Sequence, residues 1–154
     1  MRKLIITGLV SMLLSLQALS TMKSPEIFEA TMSVVAARNG FEGVQDVFLT
    51  LIKDGEMTSA FTVEFEKNGE EVNYYLDVIN AEADENGCMN YQARLRKPGD
   101  EPYGHRFSLN LVDYSTCNHS DGEAGTWQAS VRSGYGWCGT MDSTMELRGN
   151  PERI

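Results

Sequence analysis

Between residues 116 and 127 the chain reads TCNHSDGEAGTW, which sets Cys117, His119, Asp121 and Glu123 within seven positions of a glycine-bearing loop. These are the side-chain types that bind metal ions or move protons. Zinc takes a tetrahedral set of sulfur and nitrogen donors, usually in spaced pairs, and one Cys-x-His unit offers no second pair. Calcium takes oxygens at alternating positions around a sharp glycine turn, and here Asp121 and Glu123 flank Gly122 without the preceding acidic positions. The segment is therefore expected to be a solvated turn held by its cysteine, with no metal and no cofactor. Asn118-His119-Ser120 has the form of a glycosylation acceptor, but Asn118 is read as a turn residue.

Catalytic chemistry finds little purchase. The only histidines are His105 and His119, and the strand between them holds them at opposite ends of the sheet. No G-x-S-x-G elbow, phosphate-cradling glycine loop or H-E-x-x-H helix occurs. A Cys/His nucleophile pair of His105 with Cys138 is geometrically possible, which keeps a hydrolase-type enzyme as one alternative. A better candidate for function is SGYGWCG, residues 133 to 139, where Tyr135 and Trp137 alternate with glycines. Aromatic rings on such a loop stack on a sugar or anchor a protein, because they offer large contact area with few torsions to freeze. The competing role for Trp137 is to fold back and plug the end of the sheet. KPGDEPYGHR brings Asp100, Glu101, Tyr103 and His105 to the same end, so Tyr103, His105, Tyr135 and Trp137 form the expected ligand-binding set.

These residues need a scaffold, and the periodicity supplies one. From Gly43 onward the chain alternates apolar and polar residues in short runs separated by glycine-rich turns, with no helical stretch after the leader. In FTVEFEKNGEEVNYYL the pair Asn68-Gly69 suits a two-residue hairpin turn, because both positions need positive φ. That turn pairs Phe65 with Val72, Val63 with Tyr74 and Phe61 with Leu76, all apolar on one face. Applied to Asp54-Gly55, the same rule pairs Ile52 with Met57, Thr50 with Ser59 and Phe48 with Phe61. It leaves Val47, Leu49 and Leu51 on the opposite face, to be covered by the segment from Ile27 to Ala37 or by a partner. Further strands are expected at residues 89–96, 106–114, 126–132 and 141–147. With one near 30–37 they make eight: an all-β fold, a single antiparallel up-and-down meander closed as a small barrel or folded as a sandwich. A lipid-embedded outer-membrane barrel is the rival for such a pattern.

The meander also constrains the cysteines. Cys88 and Cys117 fall in loops at one end of the sheet and Cys138 at the other, separated by roughly 20 Å for a six-residue strand. Bridged Cα atoms must come within about 7 Å, so a Cys88–Cys117 disulfide is expected, with Cys138 free or linked to a partner.

Residues 1–20, MRKLIITGLVSMLLSLQALS, place Arg2 and Lys3 before an apolar run and end in Ala18, Leu19 and Ser20, the pattern of a secretory leader. Removing these 20 of the 154 residues takes away two positive charges and no acids, so the formal charge of −9 becomes −11 on 134 residues. Residues 21–154 are then one acidic, secreted or periplasmic domain without a transmembrane helix. Net acidity argues against nucleic acid and anionic lipid as partners. The expected function is non-enzymatic binding of a small ligand, sugar or protein at loops 97–105 and 133–139. The alternatives are a structural or self-assembling envelope protein, flagged by Val47, Leu49 and Leu51, or the His105/Cys138 enzyme.

Overall fold

The structure is a computed structural model that describes residues 24–54, 59–95, 105–117, 124–135 and 143–154. Eight strands run in sequence order: β1 (Glu26–Arg38), β2 (Asp46–Lys53), β3 (Ala60–Lys67), β4 (Glu70–Ala83), β5 (Met89–Leu95), β6 (His105–Asp113), β7 (Trp127–Tyr135) and β8 (Ser143–Gly149). A two-residue β9 (Glu152–Arg153) follows. Each of β2 to β8 pairs with its sequence neighbour, and β1 pairs with both β2 and β8, so the meander closes into a barrel. Closure removes the free edges that a sandwich would retain. The leader, residues 1–20, lies outside the described residues.

β1 closes the barrel by changing neighbours along its length. Residues 26–33 bond to β2, residues 33–38 to β8, and a bulge at Val35 makes the bend. Gly149 makes the seam possible. A β-carbon there would lie 2.6 Å from the Thr31 carbonyl oxygen and 2.7 Å from Met32 Sδ, inside van der Waals contact.

The hairpin at Asn68-Gly69 has the expected register, Phe65 with Val72, Val63 with Tyr74 and Phe61 with Leu76. Both turn residues have positive φ, 53° and 79°, the geometry that lets a two-residue turn follow the strand twist. The preceding pair differs from expectation. Ile52 pairs with Ala60, Thr50 with Thr62 and Phe48 with Glu64, three residues away from the register a tight Asp54-Gly55 turn would set. An odd shift reverses the faces. Val47, Leu49 and Leu51 thus point inward against Phe65, Val63 and Phe61, all buried. The segment 27–37 lies beside β2 as its hydrogen-bonded neighbour and does not cover it as a second layer. The apolar face expected to be available for assembly is therefore barrel interior.

Inward-facing side chains from all eight strands fill that interior, among them Met32, Leu49, Phe61, Leu76, Leu109, Trp127, Val131 and Met145. Phe61 takes Tyr91 and Trp127 edge-on, with centroids at 5.8 and 6.3 Å. Small barrels of eight strands are just wide enough for side chains to meet across the axis. The outward positions of β5 to β8 are mostly arginine, asparagine, glutamine and serine. An apolar inside with a polar outside is the reverse of a lipid-embedded barrel. No described helix is long and apolar enough to cross a membrane.

Candidate functional site

The barrel's two ends differ in what holds them. At one end, Cys88 and Cys117 are joined by a disulfide with Cα atoms 4.7 Å apart, the pairing the strand directions require. Hydrogen bonds order the same corner. Asp84 accepts from the amides of Asn86 and Cys88 at 2.9 and 3.0 Å, a side-chain-closed turn of the kind aspartate favours. Across the gap, Thr116 Oγ1 accepts from the Met89 amide at 2.9 Å and donates to the Asp113 carbonyl at 2.7 Å. The buried Asp113 carboxylate accepts from the amide and hydroxyl of Ser115. Cys117 and its surroundings thus form a stapled structural corner. His119, Asp121 and Glu123 lie outside the described residues, and among the described residues no group of three or more His, Cys, Asp or Glu side chains could hold a metal ion.

The opposite end carries the candidate site. β6 begins at His105 and β7 ends at Tyr135, and these residues are direct register partners. Their backbones are one strand spacing apart, about 4.8 Å. Both residues therefore belong to strands, where the sequence placed them in loops, and the strands bring their two positions together. Leu95 and Ser143 end at the same rim. Tyr103, Trp137 and Cys138, with Asp100 and Glu101, lie outside the described residues.

An aromatic floor supports this rim. Tyr74 stacks on Phe107 with centroids at 4.0 Å, Phe107 lies near-parallel to Phe65 at 6.4 Å, and Phe41 meets Phe65 edge-on at 5.8 Å. Phe41 and Val44 come from the β1–β2 connection and are both buried, so that loop plugs the barrel mouth. Asn39 and Gly40, at φ 56° and 115°, turn the chain over the mouth, and the Val44 amide donates to the Phe41 carbonyl at 3.0 Å. Glu42 fastens the turn by accepting from the Gly40 amide at 2.7 Å. Hydrogen bonds from its own amide and from that of Gly40 hold its carboxyl below the ordinary glutamate value. Lys67 Nζ sits 5.1 Å above the Phe41 ring, within cation–π range. The sequence reading missed this plug. Its signal was the apolar pair Phe41 and Val44 inside the otherwise polar, glycine-broken stretch NGFEGVQ.

Compared with protein-family models, with curated proteins and with solved structures, the chain finds no match in any of the three.

Proposed function

We propose that this chain is an exported, disulfide-stapled barrel that works by binding, and that its partner, a small ligand, sugar or protein, meets the rim built on His105 and Tyr135. The observation that carries the reading is the plug. Phe41 and Val44 already close the mouth beneath this rim, so the stopper role weighed for Trp137 is filled by another element, which favours the binding role for the 133–139 loop. A filled interior directs any ligand to the outside, where loops on a rigid scaffold are the usual binding elements. The leader-like first 20 residues and a disulfide whose sulfurs need an oxidising compartment both support export.

Replacing Tyr135 and Trp137 together by alanine is the test. Binding to an array of glycans and peptides should fall at least about tenfold, the effect of losing one aromatic anchor, while the melting temperature moves by no more than about 3 °C. A large loss of stability with binding retained would return Trp137 to a packing role and remove the proposal. For the His105/Cys138 enzyme reading, undiminished hydrolysis by a Cys138→Ala variant would be decisive against it.

A further inference from the structure

Net charge hides how the charges are distributed on the barrel wall. The outward positions of β5 to β8 carry Arg94, Arg106, Arg132 and Arg148 against one acid, Glu146, which Ser130 Oγ contacts at 2.9 Å. The register sets Arg94, Ser108, Arg132, Thr144 and Arg38 in one row across five strands, so its three arginines occupy alternate strands. Two strand spacings separate neighbouring arginines, about 9.5 Å at Cα. Beside this row lies an open groove of about 590 Å³, lined by the amides of Asn90, Gln92, Asn110 and Gln128, by the exposed Val35 of the β1 bulge and by the charged pair Arg148 and Glu146.

The wall of β3 and β4 is the converse. Its outward positions hold Glu64, Glu66, Glu71, Asp77 and Glu82 and no base. Among these acids stand Tyr75 and Ile79, both about half exposed. Tyr75 pairs with Thr62 and has Asp77 two residues along its own strand and Glu64 diagonally across on β3, so it offers an aromatic flanked by acids to a groove flanked along one side by the arginine row, and aromatic anchors are the side chains that most often dominate an interface.

We propose that the β3–β4 wall of one molecule docks on the β5–β8 wall of another, with Tyr75 entering the groove and the carboxylates facing Arg94, Arg132 and Arg38. The occupant is a second copy of this chain, because the complementary wall is on the same molecule. The two walls adjoin along the β4–β5 pair, where Asp77 and Arg94 are register partners, but they are different patches of one barrel, so the contact is head-to-tail and leaves a free wall at each end. It uses neither rim loop and stands independently of the rim reading.

Sedimentation velocity on the leaderless chain tests this. At about 0.1 M salt the average mass should rise with protein concentration, and at about 1 M salt, where the Debye length falls to about 3 Å, it should return to the monomer. The double variants Arg94→Glu/Arg132→Glu and Glu64→Arg/Glu71→Arg should each associate at least about tenfold more weakly. An equimolar mixture of the two should associate again, since each offers the other a complementary pair of walls. Tyr75→Ser, at an exposed position, should weaken association about tenfold without changing the melt, which keeps the test valid if a charge-swapped variant folds poorly. Monomer at every concentration and both salts overturns the proposal. So does association indifferent to salt and to these substitutions. Retention of the monomer on heparin that is lost in Arg94→Glu/Arg132→Glu would also overturn it, by assigning the arginine wall to a foreign polyanion.

Discussion

Removing the Cys88–Cys117 bridge is the perturbation whose size follows most directly from the fold. The two cysteines are 29 residues apart in sequence, and cross-linking a loop of that length lowers the entropy of the unfolded chain by an amount worth about 3.5 kcal/mol at 25 °C. For a domain of roughly 130 residues, unfolding near 60 °C gains about 2.1 cal/mol/K per residue, so a loss of that size lowers the melting temperature by about 12 °C. Alanine at both positions is the right substitution. Cys88 is buried, and serine would add an unsatisfied hydroxyl there. A single replacement would leave a thiol able to pair with Cys138. Thermal melts followed by circular dichroism should show the double variant about 12 °C below the oxidised wild type, and the wild type in reductant should melt close to the variant. The hydrogen bonds of Asp84 and Thr116 remain in both, so the corner persists and only the restraint on the unfolded chain is lost. A drop of less than about 4 °C, or a non-reduced peptide map joining Cys117 to Cys138, would refute the reasoning.

Two other perturbations address the seam and the plug. Gly149→Ala should destabilise by about 1–3 kcal/mol, read as a shift in urea midpoint, because its methyl would meet backbone at Thr31; a neutral effect would mean the β1–β8 seam is looser than described. Glu42 has a depressed carboxyl pKa, so its contribution is present above the unfolded glutamate value and is lost as pH falls through the lower folded one. Glu42→Gln should therefore reduce stability at neutral pH and converge with wild type in acid, and melts that run parallel across that range would count against the Gly40 contact.

Sequence pattern made the hairpin at Asn68-Gly69, the eight-strand meander and the disulfide legible, because each rests on period-two alternation plus a turn that sets register. It failed at β2 for a physical reason. Phe48, Thr50 and Ile52 are nearly as apolar as Val47, Leu49 and Leu51, so parity carries no information there, and the turn-like Asp54-Gly55 pair decided the register wrongly. Phe41 and Val44 were invisible for a related reason, since an irregular loop that plugs a barrel has no period to read. The rim was half legible: alternating strand directions place His105 and Tyr135 at one end, but their pairing as direct neighbours follows only once β6 and β7 are seen to reach those residues. The segregated charge was least legible of all. Arg38, Arg94 and Arg132 are scattered along the sequence and share a row only through four successive registers.

Closure through β1 also has a consequence in time. A chain made amino end first delivers β1 at the outset and the strand that seals it last, with residues 33–38 waiting for residues 144–148. Until then β1 and β7 each show an unpaired row of amides and carbonyls, and the search that ends their wait spans most of the polypeptide, the kind of long-range contact that folds slowly. The molecule is therefore most vulnerable to misassembly before that last pairing forms, and a chain cut short before Ser143 would carry that open edge permanently.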